Sequence, residues 1–342
     1  MRMKMKWAVL LVTLALGGSA LGTELVVYTY DSFVSWGPAA AIEEAFQARH
    51  PDVDLIWVAP GAAAETLARL EAELASGGTG ADVLLGIGDP DLVRASRLLK
   101  PYDPGLVPNL AYVPQEFLTL APQGLALPFD QGYVTFVYDS ERLPQRLVPR
   151  YFSDLLRCDL GRKIILEDPR TSSTGRAFLL WTVWHFGARG WQDFWRALLP
   201  NVLTITKGWS EAYDMFLSGE APIVLSYSTD TAYSYLEEGS TRYRVVTLGG
   251  EAYRLVEWMG IVAGTDRPLL AHDFLDVVLS REVQELIPTT QWMFPVNQAA
   301  ELPEDFARYA VVPEVPAELP PAEVARGLQG WLRDWQSLLG GG

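Results

Sequence analysis

The chain has 342 residues, and its 42 acidic residues outweigh 27 basic ones, which gives a formal net charge of −15. This length favours two lobes over one core, and the acidic balance disfavours nucleic acids and anionic lipid surfaces, which bind basic patches. The single cysteine excludes an internal disulfide, and the spacing of His50, His185 and His272 indicates no metal site.

The first 22 residues are typical of a secretory signal peptide. A basic head with Arg2, Lys4 and Lys6 precedes an apolar run over residues 7–16, and small residues continue to Gly22. The run is short for a bilayer span, and a retained membrane anchor is the less favoured alternative. We therefore expect cleavage near Gly22 and export of a mature chain that is more acidic still.

Strands and helices alternate in the first part of the mature chain. β-branched and aromatic residues predict a strand over residues 24–30, and Pro38 opens an Ala-rich helix that extends to about His50. Further strands are predicted at 55–58 and 82–85, and helices at about 64–75 and from Asp89. This alternation predicts a parallel sheet covered by helices, with ligands beyond the carboxyl ends of its strands.

An irregular Pro-rich segment, residues 101–128, separates this region from a second α/β stretch. There we expect strands at 132–138, 163–166, 203–206, 223–227 and 253–262, and helices at 175–186, 191–198, 211–217 and 231–238. Helices at 268–279 and 321–338 complete the chain. The sequence predicts an α/β protein with one lobe over residues 23–128 and 260–342, a second over 129–259, and a ligand cleft between them.

Four consecutive hydroxyl residues, 171–174, lie between a predicted strand and a predicted helix. Hydroxyls and free backbone N–H groups at a helix N-terminus form an anion site, which suits a phosphate or a hydroxyl tail. Because one hydroxyl suffices to cap a helix, we favour a ligand site at this run of four. A plain capped helix is the alternative.

Aromatic residues occur in several segments that one cleft could bring together. Trp209 precedes Ser210, a predicted N-cap, and Asp214 stands where a structural tryptophan would find its apolar partner. Trp292 lies in an irregular segment between helices, where residues serve function more often than packing. Both tryptophans are therefore predicted to face a ligand.

Carboxylates accompany these aromatic residues. Asp230 is the expected cap of a helix whose preceding turn lies between Tyr227 and Tyr233. Three more are predicted in loops that face the cleft, namely Asp31, Asp130 and Asp89, the last of which more simply caps a helix. Aromatic faces with a few carboxylates can hold a flat organic cation.

Catalytic motifs are missing from the sequence. It has no Gly-x-Ser-x-Gly, no His-Glu-x-x-His and no phosphate loop ending in Gly-Lys-Ser/Thr. Cys158 is the one candidate thiol nucleophile, and its apolar neighbours predict packing rather than reaction. We therefore expect a ligand trap rather than an enzyme.

The motifs at residues 28–33, 128–133, 168–172, 206–213, 225–227 and 287–293 resemble those of thiamine-binding members of the type II periplasmic binding proteins. The block TKGWSEAY at 206–213 is the most specific. The resemblance implies a periplasmic protein that closes on thiamine, thiamine monophosphate or thiamine diphosphate. It also implies delivery to the membrane permease and ATPase of an ABC importer.

The resemblance further implies roles for individual residues. It places Trp209, Tyr227 and Trp292 around the thiamine rings, with Tyr30, Trp36 and Tyr233 nearby. Ser172 and Ser173 would contact the hydroxyethyl or phosphate end, and polar contacts would come from the turn that includes Ser226, Ser228 and Thr229. In one departure from the family, residues 60–63 lack its acidic-Gly pair and offer only backbone contacts.

Two other functions remain open at this point. A thiamine-degrading enzyme of the thiaminase I type resembles the same two-lobed fold, but it needs a cysteine nucleophile in the cleft, for which only Cys158 is available. A binder of a metal or a polyamine could also use this fold. The paired tryptophans favour a flat organic ring instead.

Overall fold

The computed structural model describes residues 23–121 and 124–340, so the predicted signal peptide lies outside the described residues. Over the part that is described, no helix combines the length and the apolar composition that a membrane span requires. Strands and helices alternate through both halves of the chain. The predicted α/β class is confirmed.

The strands are β1 (Thr23–Tyr28), β2 (Val53–Val58), β3 (Val83–Gly88), β4 (Leu99–Lys100), β5 (Leu127–Asp139), β6 (Ile164–Glu167), β7 (Val202–Thr206), β8 (Ile223–Tyr227), β9 (Tyr243–Val246), β10 (Glu251–Val262), β11 (Phe294–Pro295) and β12 (Val315–Ala317). The helices are α1 (Asp31–Ser35), α2 (Ala39–Arg49), α3 (Ala63–Ala75), α4 (Asp89–Ala95), α5 (Gln115–Leu120), α6 (Ser173–Leu198), α7 (Trp209–Leu217), α8 (Asp230–Glu238), α9 (Pro268–Val278), α10 (Arg281–Gln284), α11 (Ile287–Thr290), α12 (Glu304–Tyr309) and α13 (Pro321–Leu339).

The sheet consists of two parallel groups joined by two long antiparallel strands. Its strand order is β2-β1-β3-β10-β5-β8-β6-β7. β1 runs parallel to β2 and β3, and β6 runs parallel to β7 and β8. β10 and β5 pair antiparallel, with Glu257 opposite Asp130. The carboxyl ends of the parallel strands in both groups therefore lead into the segments that line the cavity described below.

Two large hydrophobic clusters fill the molecule. The first surrounds β1 and β3 and includes Phe33 and Phe274, and the second surrounds α6 and includes Trp195. The predicted boundaries assign α13 to the first lobe, but its apolar face packs in the second cluster, where Trp335 contacts Trp195 with ring centroids 5.7 Å apart. The lobe boundaries stay a prediction, and this packing favours moving α13 to the second lobe.

Several predicted elements differ in extent from the observed ones. The two helices predicted at 175–186 and 191–198 are both present within α6, which is broken at Gly187, where φ is 71° and ψ is 179°. Glycine adopts this positive φ without the steric penalty of a side chain. β5 begins at Leu127 rather than near Gly132, so Asp130 lies within the strand and not in a loop. The short strand β9 was not predicted.

Candidate functional site

A cavity opens where the strands of the two parallel groups end. It encloses about 900 Å³, counting the part that is open to solvent. The predicted site residues that line it are Tyr30, Asp31, Trp36, Ser172, Ser173, Trp209, Tyr227, Thr229, Tyr233 and Trp292. Asp130, Ser226 and Ser228 are buried and do not line it. The structure thus brings most of the predicted residues together, while their roles in binding stay predictions.

Six rings form what we call the aromatic cluster: Trp36, Trp209, Tyr213, Tyr227, Tyr233 and Trp292. Trp209 stacks on Tyr213 with centroids 4.7 Å apart and planes 19° apart. The edge of Trp36 meets Trp209 at 6.4 Å, and Tyr233 meets Trp292 at 5.0 Å and 88°. Such a cluster offers flat faces at several angles to a planar ligand.

A hydrogen bond to the strand β8 fixes the orientation of Trp209. The indole Nε1 of Trp209 donates this bond to Ser226 Oγ at 3.0 Å. Ser226 therefore lies behind the aromatic cluster and holds Trp209 in place, instead of facing the cavity. The helix α7 starts at Trp209 itself with Gly208 as N-cap, so the predicted cap at Ser210 is wrong. Because Gly208 is extended and serves as the N-cap, the helix begins two residues earlier than the sequence suggested.

Trp292 occupies a strained position. Its φ of 59° lies in the left-handed region, which is uncommon for any residue other than glycine. The carbonyl of Trp292 accepts a hydrogen bond from Thr229 Oγ1 at 2.5 Å, and its N–H donates to the carbonyl of Ile287 at 3.0 Å. These bonds hold the ring against Tyr233. Backbone strain of this kind is frequent at ligand sites.

The four consecutive hydroxyl residues, 171–174, form hydrogen bonds with different partners. Ser172 caps α6 and accepts from the N–H of Gly175 at 3.2 Å. Thr171 donates to the carbonyl of Lys207, and Thr174 bonds to the Tyr227 hydroxyl at 3.1 Å. Ser173 Oγ is buried and has no partner among the described residues. Of the predicted run, this hydroxyl is the one left available at the N-terminus of α6.

An acidic side chain that the sequence did not single out also lines the cavity. Glu257 lies in the apolar strand β10 and accepts hydrogen bonds from Tyr30 Oη at 2.8 Å and from Gln291 Nε2 at 3.3 Å. Burial raises the pKa of Glu257 to about 7. The available signal was one acidic residue within the otherwise apolar run of residues 255–262, because such a charge is rarely buried without a function or a partner.

Asp130 faces Glu257 from the neighbouring strand. It is fully buried in β5, and neither of its carboxylate oxygens makes a hydrogen bond within the described residues. Burial and then the repulsion from Glu257 raise the pKa of Asp130 well above its usual range, and the nearby Gln291 amide offsets only part of this rise. We call Asp130 and Glu257 the carboxyl pair.

The other carboxylates do not act as the predicted caps. Thr229 precedes α8, so Asp230 lies in the first turn, where it lines the cavity and burial raises its pKa to about 7. Asp89 accepts hydrogen bonds from the N–H of Val256 at 2.8 Å and from Trp258 Nε1 at 2.6 Å. Partners on β10 therefore bind the Asp89 carboxylate in place of its own helix. Asp31 is exposed at the cavity mouth.

The segment at residues 60–63 meets the opposite side of the cavity mouth. Ala62 and Ala63 line the cavity. Gly208 lies close to this segment, since a Cβ atom added to Gly208 would be 3.6 Å from Ala62 Cβ. Just beyond, Glu65 on α3 forms an ion pair with Lys207. Together with the contact between Trp36 and Trp209, this ion pair joins the two sides of the mouth.

Cys158 lies away from the cavity. It is exposed in a turn that precedes the amino end of β6, whereas the cavity residues follow the carboxyl end of that strand. The predicted packing of this thiol is therefore wrong, because its neighbour Leu160 is buried in its place. Within residues 23–121 and 124–340, no group of His, Cys, Asp and Glu side chains is arranged to hold a metal ion.

Comparisons with known proteins agree with this architecture. The thiamine-binding periplasmic protein of Brucella abortus biovar 1 (strain 9-941) is 36% identical over 315 residues, which cover 91% of each chain. That of Escherichia coli (strain K12) is 36% identical over 314 residues, 91% of this chain and 92% of the relative. A solved periplasmic thiamin binding protein superposes with a TM-score of 0.82 at 35% identity, covering 94% of this chain and 98% of its own.

These similarities confirm the predicted two-lobed periplasmic binding protein fold. The sequence pattern of the bacterial extracellular solute-binding proteins matches residues 32–285, which is most of the described chain. The chain belongs to the family of bacterial extracellular solute-binding proteins.

Proposed function

We propose that this solute-binding protein captures thiamine in the periplasm and delivers it to the permease and ATPase of an ABC importer. The observation that carries the proposal is the combination of the aromatic cluster with the buried carboxylate of Glu257 in one cavity. Relatives named as thiamine-binding periplasmic proteins are 36% identical over 91% of the chain, which supports the same ligand.

The chemistry of thiamine fits the two kinds of surface. Its aminopyrimidine ring is planar and can stack on the indole and phenol faces of the aromatic cluster. Its thiazolium ring carries a permanent positive charge, which aromatic faces stabilise by about 0.5 to 2 kcal/mol depending on desolvation. The Glu257 carboxylate offers an opposite charge in the same cavity.

We extend the proposal to the phosphate esters of thiamine. The N-terminus of α6 directs unpaired N–H groups and a positive partial charge toward the cavity, where the Ser173 hydroxyl has no partner within the described residues. A hydroxyethyl group or a phosphate could bind there. Of the predicted anion-site residues, Ser173 is then the contact residue, and Ser172 holds the helix end in place.

Calorimetric titration of the mature protein tests this function. We expect saturable one-to-one binding of thiamine, thiamine monophosphate and thiamine diphosphate, with quenching of tryptophan fluorescence by the stacked ring. Spermidine and ferric ion serve as ligands that other members of the fold could take. Binding of either one in preference to thiamine would replace the proposed ligand.

We also propose that the protein returns its ligand intact. Cleavage of the thiaminase type needs a nucleophile in the cavity, and Cys158 lies in an exposed turn at the other end of β6. Thiamine incubated with the protein and an amine or thiol co-substrate should stay unchanged. Release of free thiazole by the parent but not by Cys158→Ser would establish an enzyme instead.

Export is the last part of the proposal. The basic head and apolar run of residues 1–22 predict cleavage, with a mature N-terminus near Thr23. Mass spectrometry of the protein isolated from its own cells measures that end directly. A cytoplasmic chain that still begins at Met1 would contradict export.

A further inference from the structure

The carboxyl pair is buried without a cation to balance it. Asp130 and Glu257 are direct partners in the antiparallel ladder between β5 and β10, so their Cβ atoms leave the same face of the sheet about 5 Å apart. The exposed fraction is 0% for Asp130 and 4% for Glu257. Within the described residues, neither side chain forms an ion pair with a lysine, an arginine or a histidine.

The hydrogen bonds of the pair are distributed unevenly. Glu257 accepts from Tyr30 and Gln291, whereas both oxygens of Asp130 lack a partner in the described part of the chain. Two carboxylates at this separation cannot both ionise in a buried site without strong repulsion. The ligand-free pair therefore holds at least one proton.

The charged and titratable groups on neighbouring elements do not remove that proton. Asp89 on α4 adds to the effect of burial in raising the pKa of Glu257, while the Tyr30 and Gln291 hydrogen bonds lower it. Tyr30 and Tyr227, which face the pair from the end of β1 and from β8, stay neutral because burial and then Glu257 raise the pKa of each phenol. Glu167 on β6 is a further buried acid beside Tyr227 and adds to its pKa shift.

We propose that the carboxyl pair recognises the charge of an organic cation by exchanging a proton for it. In the free protein, a carboxylic acid lies beside a carboxylate. When the cation enters the cavity next to Glu257, the acid O–H bond breaks, its electron pair stays on the carboxylate, and the proton passes to solvent. The identity of the cation as thiamine rests on the proposed function.

This exchange makes binding depend on pH with a defined sign. An opposite charge within a few ångströms favours the ionised carboxylate, so the complex holds fewer protons than the free protein. Binding therefore tightens as the pH rises, by up to about tenfold per pH unit for each proton released. A pair that holds the same number of protons in the free protein and in the complex would give no such dependence.

Calorimetry of thiamine binding in buffers of different ionisation enthalpy counts the released protons. At about pH 7 we expect release of a measurable fraction of one proton, and a Kd that falls between about pH 6.5 and about pH 8. No proton release together with a flat Kd would overturn the inference.

Substitutions assign the proton to the pair. Asp130→Asn removes the acid whose oxygens lack a hydrogen-bond partner while keeping the shape of the side chain, so the pair loses the proton that it exchanges, and proton release should fall below that of the parent. Glu167→Gln is the matched control, because Glu167 is also a buried acid but lies on β6, outside the ladder between β5 and β10, and does not line the cavity. This control should keep the proton release of the parent. Loss of release in Glu167→Gln but not in Asp130→Asn would refute the assignment.

A second measurement does not need thiamine. Carbon-13 NMR of labelled carboxyl groups in the ligand-free protein should show Asp130 and Glu257 each titrating above the ordinary range of its residue type. An ordinary titration of Glu257 in the parent would overturn the inference even if thiamine binds. If thiamine does not bind, the proposed function fails, and the NMR titration still decides the inference.

Discussion

The aromatic cluster and the carboxyl pair belong to one cavity but are held in opposite ways. In the aromatic cluster, Trp209 and Tyr227 find hydrogen-bond partners within the protein, in Ser226 and Thr174. In the carboxyl pair, Asp130 has no partner among the described residues. The protein therefore fixes the shape of the cavity in advance, whereas it leaves part of the charge to be balanced by a ligand.

The largest effect on ligand binding should come from a substitution in the aromatic cluster. Trp209→Ala removes an indole face that lines the cavity and stacks on Tyr213. We expect thiamine affinity to fall by at least about tenfold, or about 1.4 kcal/mol. Calorimetry measures the loss, and circular dichroism checks that the variant folds.

Trp184→Ala provides the matched control for this prediction. Trp184 is a partly exposed tryptophan on α6 that does not line the cavity. Its loss should leave thiamine affinity close to that of the parent. A folded Trp209→Ala variant that binds as tightly as Trp184→Ala would show that the aromatic cluster does not contact the ligand.

The second effect concerns how the buried carboxyl groups change the stability of the folded protein with pH. Burial raises the pKa of Glu257, Asp230 and Asp89 to about 7, whereas carboxyl groups of the unfolded chain titrate near 4. The stability from keeping these protons is complete below about pH 4 and is lost as the pH rises to about 7. We expect the free energy of unfolding without ligand to fall over this interval.

Urea unfolding at a series of pH values measures this dependence, and Asp130→Asn should make it shallower. A carboxylate that is paired in the folded state behaves in the opposite way. Arg94 lowers the pKa of Glu71, so that pair adds stability as the pH rises, but mainly below about pH 4.5. Stability that increases between pH 5 and 7 would therefore contradict the raised pKa values of the buried acids.

A smaller effect should separate two neighbouring serines. Ser173→Ala removes the unpartnered hydroxyl and should weaken thiamine monophosphate and diphosphate a few-fold more than thiamine. Ser172→Ala instead removes the N-cap of α6 and should lower the free energy of unfolding by about 1 kcal/mol. Titrations and urea unfolding of both variants test this division. Equal losses for all three ligands in Ser173→Ala would remove the anion site from the proposal.

The smallest effect is expected at the cavity mouth. Lys207→Met breaks the ion pair with Glu65 between two solvent-exposed ends, where salt screens the attraction. Thiamine affinity should change no more than a few-fold, and the difference from the parent should vanish at high salt. Titrations at low and high ionic strength decide, and a large salt-independent loss would mean that Lys207 contacts the ligand itself.

The sequence predicted the aromatic side of the cavity better than the acidic side. Trp209, Tyr227 and Trp292 stand beside turns and strand ends, and such local patterns indicate where a side chain can face a cleft. Asp130 was expected in a loop because the aromatic and Gly-containing segment around it hides the true start of β5. Glu257 was missed because periodicity does not reveal that its partners are Tyr30 and Gln291, which lie far away in sequence.

The hydroxyl run shows the same limit. The sequence indicated a helix N-terminus rich in hydroxyls, and Ser172 caps that helix. It could not indicate that the carbonyl of Lys207 would bind Thr171 or that Tyr227 would bind Thr174, since both contacts depend on how distant strands are arranged. The positions of the helices and strands followed from local propensity, whereas the hydrogen-bond partner of each hydroxyl in the site depends on tertiary contacts.

The hydrogen bonds around Tyr30 bear on the order in which the chain folds. Tyr30 bonds to Glu257, 227 positions later, and to Gln291, 261 positions later. Contacts of such separation form slowly, because the entropy of closing a long loop must be overcome before they stabilise anything. The cavity can therefore close only after almost the whole chain has been synthesised. The binding site is thus among the last parts of the molecule to form.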